Sequence, residues 1–356
     1  VGVCDFVFWQ TTISREQSDD LLNTDHEPRG KGGNEMGSWK LPPEGGHMDK
    51  PSKIYFQTMT KKDVEERLEK NDLIIIPLGS TENHGAAGPY GEDIYVVTRI
   101  AEEVARATGC TIAHPVVYGS HPYHHLGQPG TVVIPDDVFS AYLRAIMAGF
   151  WNTGFRKQIF MSLHGQEYVV PSAINEFGKK YQVPAMIIFV DIPRVMGQTL
   201  MDKAHGGPYD NPFQHACEAE TSLSMALFPE MVQLENAEDN TPWGFLPPGH
   251  LDRGGDIYGN PIPGHCAVGC GGIECVIYPE GVIGKPSLAD PNKAYKSVEV
   301  TLDYLKKLHD DIMAKFPPGK LPESKYLSQR PPEEVEALLK GPMKGGRHLY
   351  TVAFPP

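Results

Sequence analysis

What the sequence lacks narrows it first. No apolar run reaches the roughly 18 residues of a membrane span, so no transmembrane helix is expected. The N-terminal stretch "VGVCDFVFWQ" is too short for a signal h-region and carries no basic leader. Basic charge is in deficit: 32 Lys and Arg stand against 45 Asp and Glu, a formal net charge of −13. Such a chain is a poor partner for phosphate backbones and anionic membrane surfaces. No nucleic-acid or membrane partner is therefore expected, and the chain reads as soluble and cytoplasmic. Cysteine is sparse, at positions 4, 110, 217, 266, 270 and 275, with no C-x-x-C pair. Disulfides are not expected in that compartment. The stretch "HCAVGCGGIEC" (His265 to Cys275) fits a zinc-ligand gap only loosely and offers no obvious fourth ligand, so buried thiols in a Gly-rich strand or turn are the expectation there. There is no internal repeat.

What is present is a core and an alternation. With 356 residues, 40% of them hydrophobic, the chain allows one large α/β domain or two smaller ones. A short helix is plausible at Lys61 to Lys70. "LIIIPL" (Leu73 to Leu78) is a continuous apolar run, as expected of a strand covered on both faces. Val97, Ile100, Ala101 and Val104 repeat at helical spacing and stop at Gly109. Thr111 to Tyr118 reads as a strand, Phe139 to Phe150 as a helix, and Lys157 to Leu163 as a strand. A short helix around Ile174 to Tyr181, a strand over Ala185 to Ile192, a helix around Ala219 to Leu227 and a long helix from Val298 to Ile312 complete the order. Strands alternating with helices predict a largely parallel sheet with helices on its faces. Residues 1–52 are expected as an extended N-terminal arm, 53–316 as the catalytic domain, 236–263 as a lid or subunit-contact insertion, and 317–356 as a C-terminal arm.

Two apolar strands end in polar clusters, and ligands in open α/β sheets sit beyond the carboxyl ends of strands. "GSTENHGAAGPYGED" brings Glu82, His84 and Asp93 after the first; "SLHGQE" brings His164, Gln166 and Glu167 after another. Side chains two apart on an extended backbone point the same way, so Glu82 and His84 can face one point. Asp93 returns after a Gly-rich loop. Mixed imidazole and carboxylate donors suit zinc, manganese or iron rather than calcium. The bland alternative remains: loop histidines bonded to backbone, with Asp93 as a helix cap. A third cluster, "HACEAETSLSMAL", places Glu220 on the same helical face as Leu223 and Leu227. A carboxylate on an inward face needs a cation, strong hydrogen bonds or a proton.

These segments resemble the creatininase family of amidohydrolases. "IPLGSTENHGAAGPYGED" is similar to its "PLGSxEQHGPHLPLxTD" signature, "GQPGTVVI" to its "FPGT" segment, "SLHGQE" to its "NGHGGN" loop, "HACEAETSLSMAL" to "HAGxxETSLML", and "GVIGKPSLADPNKAYK" to its closing stretch. The resemblance implies a three-layer α/β/α sandwich with a mainly parallel sheet, commonly a homohexamer, holding one or two divalent ions (zinc, manganese or iron). It implies Glu82, His84, Asp93 and His164 as ligands, Glu220 as a ligand or a carboxylate just behind one, and His215 and His125 near the reacting group. One departure is evident. Where creatininase has a glutamate ligand two residues past the loop histidine, this chain has Gln166, so Glu167, Glu220 or Gln166 itself as a weak neutral ligand is expected to complete the set.

The implied activity is opening of a small polar ring by attack of metal-bound hydroxide on a ring carbonyl, with His215 or Glu220 carrying the proton. The bond broken is a cyclic amide C–N bond, or the C–C bond of a cyclic 1,3-diketone such as an oxidised inositol or dihydrophloroglucinol. The competing readings are an inert metal-binding scaffold or regulatory protein, and a metal-dependent lyase or isomerase on the same site.

Overall fold

The run Leu73–Leu78 explains the layering. Its side chains alternate between two helical layers, so every one of them is buried although no polar residue interrupts the run. In the computed structural model, which describes residues 48–122, 125–241, 280–322 and 328–352 and the backbone at 35–36 and 39–40, this run is the first strand of the main sheet, β1. The expected insertion at 236–263 falls outside the described residues from 242 onward, as do the three clustered cysteines and nearly all of the expected N-terminal arm. Residues Met36–Pro356 make one compact unit.

Among the described residues four parallel strands form the sheet in the order β2-β1-β3-β4, with β1 Leu73–Leu78, β2 Thr111–Ile112, β3 Lys157–Ser162 and β4 Met186–Asp191. Leu78 lies opposite Ser162, and Ser162 opposite Asp191, so three strands end on one edge. Leu73 and Ile75 pack with Ile159, Met161 and Val190 under helices α2 (Glu92–Thr108), α6 (Glu218–Leu227) and α7 (Pro291–Lys315). Ile74, Ile76, Leu78 and Phe160 pack on the other face under α3 (Asp136–Thr153) and α4 (Val169–Tyr181). The fold is thus the expected three-layer α/β/α sandwich. The remaining α-helices among the described residues are α1 (Lys61–Lys70), α5 (Ile192–Met196) and α8 (Pro332–Lys340).

β2 is shorter than the apolar stretch Thr111 to Tyr118 suggests. Pro115 has no N–H for the ladder, so past Ile112 pairing persists as a bond from Ala113 N to Ile75 O (2.9 Å) and an isolated bridge at Val116, whose N donates to Pro77 O (3.0 Å) and whose O accepts from Gly79 N (2.9 Å). Of the stretch expected as a C-terminal arm, residues 328–352 carry α8 and lie on the same unit. Leu338 and Leu349 are buried in the second core layer, and Arg330 Nε donates to the Tyr181 carbonyl at 2.6 Å.

At the amino end of β3 a full charge is buried. Lys157 is wholly enclosed; its Nζ lies 2.5 Å from Asp72 Oδ1 and 3.1 Å from the Pro317 carbonyl. The other Asp72 oxygen accepts from Gly319 N at 2.9 Å, which ties the end of α7 to the sheet.

Candidate metal centre

The strand order has a switch point. From β1 the chain crosses to β2 on one side, while β3 lies on the other, and the crevice between such diverging connections is where ligands bind in open α/β sheets. The loops after β1, β2 and β3 all empty into it. Gly79 ends β1 because a side chain there has no room: a Cβ would sit 2.7 Å from Ile94 Cα. That close approach seats the first turn of α2, with Asp93, beside Glu82. Ser80 Oγ lies 2.6 Å from Asp93 Oδ2 and 2.9 Å from Glu82 Oε2, so its one proton is shared between the two carboxylates.

Glu82 is the hub. Its carboxylate is fully buried and lies 2.6 Å from His125 Nδ1, 2.8 Å from His164 Nδ1, 3.2 Å from His215 Nδ1 and 3.7 Å from His121 Nδ1. His164 Nδ1 is also 3.2 Å from Asp93 Oδ2. On the far side, His84, His215 and Glu220 bring donor atoms within 4.8 Å of one another. Glu220 lies in the first turn of helix α6, and its Oε2 accepts from Ala216 N at 2.5 Å. Ala216 reaches that geometry with a left-handed φ of 47°, unusual for a residue with a side chain.

Three histidines share one device. His84 Nδ1 faces the Glu82 carbonyl (3.1 Å), His164 Nε2 the Ser120 carbonyl (2.8 Å) and His215 Nε2 the Asn83 carbonyl (2.7 Å). A carbonyl only accepts, so each of these ring nitrogens carries the proton. The opposite nitrogen of each ring is then an acceptor turned into the cluster. There, His164 Nδ1 and His215 Nδ1 face carboxylate oxygens, acceptor against acceptor. That arrangement is repulsive unless a cation or a second proton stands between them.

The electrostatics show how unbalanced the cluster is. Burial pushes Glu82 up, but the charges of His125, His215 and His164 outweigh it and hold Glu82 well below the usual carboxylate range. Burial likewise works against charge on His84 and His164. In His84 it is overcome by Glu92, Asp93, Glu82 and Glu220, which raise it to about 9, and in His164 by Glu82 and Asp93, which raise it well above its usual value. Burial and the neighbouring Glu92 carboxylate push Glu220 far up; burial holds His215 below its usual value and, with His164, lowers His121 to about 4. The cluster thus draws protons where positive charge is missing. Four carboxyl groups, Glu82, Glu92, Asp93 and Glu220, are sealed from solvent around five imidazoles. Both oxygens of Glu92 and His121 Nε2 complete no hydrogen bond. Imidazole and carboxylate donors around uncompensated negative charge fit divalent zinc, manganese or iron.

Of the residues singled out in the sequence, Glu82, His84, Asp93, His164, Glu220, His215 and His125 are brought together. Glu167 is not. It belongs to none of the converged donor groups; it is half-buried one residue beyond Gln166, close enough to the Asp191 carboxyl at the end of β4 for its charge to push that group up. Gln166 itself is buried at the edge of the cluster, its amide Nε2 donating to Ser162 Oγ at 2.9 Å while its Oε1 makes no hydrogen bond. Two participants were not singled out, His121 and Glu92. The histidine-rich "HPYHHLG" was a signal for the first; Glu92, beside Asp93, reads in sequence as an ordinary acidic residue of a helix start.

A sequence profile described as creatinine amidohydrolase, that of the creatininase family, matches residues 57–309. The chain belongs to the creatininase family. It is 56% identical over 305 residues to the 3-dehydro-scyllo-inosose hydrolase of Thermotoga maritima, which covers 85% of this chain and 98% of that relative. To the creatinine amidohydrolase of Pseudomonas putida it is 24% identical over 218 residues, 54% of this chain and 79% of that one. A crystal structure of creatininase superposes with a TM-score of 0.59 at 20% identity, covering 75% of this chain and 99% of that one. A manganese form of creatininase gives a TM-score of 0.58 at 19% identity over 74% of this chain and 99% of that one. This family member is a metal-dependent hydrolase, and the crevice between β1 and β3 holds its candidate metal site.

Proposed function

We propose that the chain opens an oxidised inositol ring by hydrolysing a C–C bond between two carbonyl-bearing positions. The single observation that carries the reading is the converged donor cluster in a chain 56% identical, along nearly the whole relative, to a hydrolase named for 3-dehydro-scyllo-inosose. That name describes a ring with two ketones in 1,3 relation. Water adds to one carbonyl carbon; the bond to the carbon between the carbonyls breaks; its electron pair is taken up as the enolate of the second ketone. Protonation of that carbon gives an open-chain keto acid.

Bound divalent cations, one or two of zinc, manganese or iron, supply Lewis acidity that lowers the pKa of water to about 7 and polarises the carbonyl. Glu82, Asp93, His84 and His164 would hold them. His215 shares the pinned ring of His84 and His164, which equips it as a further donor facing the His84 side. Glu220 then carries the proton. Burial and Glu92 favour its neutral form, and the Ala216 N–H fixes one of its oxygens, which holds the carboxyl in position to deliver its proton to the enolate carbon. His125, 2.6 Å from Glu82 Oε1, holds that carboxylate in place from the β2 side. Glu167 and Asp191 sit outside the donor set, at the adjoining strand end.

Two further readings accompany this one. Among the described residues no helix is long and apolar enough to cross a membrane, and the thiols of Cys110 and Cys217 are free and buried; both agree with a cytoplasmic enzyme. A homo-oligomer, a hexamer by family resemblance, accords with this fold.

The experiment is turnover of the diketo-inositol by the metal-loaded protein in heavy-oxygen water. One heavy oxygen in the new carboxylate is the expected result. Product of unchanged ring mass, or cleavage of creatinine in preference, would overturn the assignment.

A further inference from the structure

We propose that His121 is a ligand of the cation on the Glu82–His164 side, and that its nitrogen makes this position select zinc or iron over manganese. The inference rests on reading the cluster as a metal centre, but not on the identity of the ring.

The geometry is specific. His121 is buried, and its ring stands 4.5 Å from that of His164, centroid to centroid, nearly edge-on. Donor atoms of Glu82, His121 and His164 lie within 4.8 Å of one another. His121 Nδ1 is 3.7 Å from Glu82 Oε2 and 3.4 Å from His125 Nδ1, while its Nε2 has no hydrogen-bond partner. A buried histidine serving only to pack would have its N–H satisfied, because an unmade bond there costs the full desolvation of the group. His121 instead leaves Nε2 unmet and turns Nδ1 towards the Glu82 carboxylate and the His125 ring.

The loop that carries it is braced. Ser120 Oγ lies 2.5 Å from Asp136 Oδ1 and 3.2 Å from the Tyr168 hydroxyl, and the Ser120 carbonyl is the one that pins His164. One backbone position therefore orients one imidazole donor and delivers the next. Gly119 lets the loop come this close: a Cβ there would meet Gln166 Oε1 at 2.7 Å and the Gly79 carbonyl at 3.0 Å. Gln166, in the same place, brings a neutral amide and no charge. The donors on this side are then two imidazoles, His121 and His164, with the carboxylates of Glu82 and Asp93. Imidazole-rich sets favour zinc and iron, whereas manganese prefers oxygen donors.

The test uses full-length protein stripped of metal and reloaded, comparing wild type with His121→Ala and His121→Asn. Zinc affinity is read by competition with a chromophoric chelator, donor identity by the visible spectrum of the cobalt form, and selectivity by metal content after exposure to equal zinc and manganese. Wild type is expected to take zinc over manganese. Both variants should lose at least about tenfold in zinc affinity at one position, the scale on which even outer contacts to a ligand act. They should also show an altered cobalt spectrum and shift towards manganese. The metal-free variants should melt with metal-free wild type. Unchanged zinc affinity and cobalt spectrum would make His121 something other than a ligand. Metal-free variants melting well below wild type would make it a packing residue, and a wild type that prefers manganese would remove the selectivity. If the metal results are as expected and the diketo-inositol is not turned over, the substrate assignment falls and the ligand assignment stands.

Discussion

His84 shows how a single side chain is made into a ligand. Its Nδ1 is committed to the Glu82 carbonyl, so only Nε2 remains for a cation. His84→Ala removes that donor and little packing, since the residue sits in a loop beyond a strand end. Metal content by elemental analysis should fall while the circular dichroism stays that of the wild type. An unchanged metal content would remove His84 from the donor set. Glu167→Gln is the complementary case. Because Glu167 is in none of the converged donor groups, metal content should be unaffected. Asp191 offers a pH prediction away from the donors. Burial and then Glu167 push its carboxyl up to about 7, against which Arg194 pulls it down. A folded-state value above the unfolded one means that the native protein binds the extra proton. Stability is therefore lost as pH rises from the unfolded value, 3.8, through about 7. Asp191→Asn should be neutral near pH 4 and more stable than wild type at pH 8. The gain is at most about 4 kcal/mol by the scale of 1.36 kcal/mol per unit. Chemical denaturation at the two pH values reads it.

Elements decide where such residues meet. Most of this level was legible in the sequence: the double burial of "LIIIPL", the strand–helix alternation and the positions of both polar clusters. The helical stripes at Val97 to Val104 and Val298 to Ile312 fall inside α2 and α7. What was not legible is non-local. Nothing in "YGED" distinguishes Glu92, exposed at many helix starts, from an acid sealed between α2 and α6. The end of β2 at Ile112 reflects a missing amide at Pro115 that an apolar pattern overrides. His121 reaches the cluster only because the Gly119 loop folds back over β1 and β3. The buried pair at the opposite edge was likewise invisible, since 85 residues separate Asp72 from Lys157. Asp72→Ala leaves that ammonium in the core with one carbonyl for company. The expected loss is about 3 to 5 kcal/mol, read as a lower denaturant midpoint, and it should also loosen the end of α7, which Gly319 ties to the same carboxylate.

For the molecule as a whole, fold and cation are separable but linked. Two hydrophobic layers on a four-stranded sheet do not depend on the donor cluster, so the metal-free protein should remain folded. Binding to the native state alone still stabilises it, by about 2.7 kcal/mol at a free concentration a hundred times the dissociation constant. Chelation should therefore lower the melting temperature by several degrees and leave a cooperative transition. A melt indifferent to chelator and added zinc alike would speak against a buried cation.

Three rings of the centre are held through oxygens of the main chain, those of Glu82, Asn83 and Ser120. A peptide oxygen is present whatever amino acid occupies the position. The orientation of these imidazoles is therefore insulated from substitution at the very residues that hold two of them. Side chains around the crevice can be exchanged to suit a different ring while the aim of the ligands persists, which gives one scaffold a physical route from opening a lactam-like ring to opening a carbocycle.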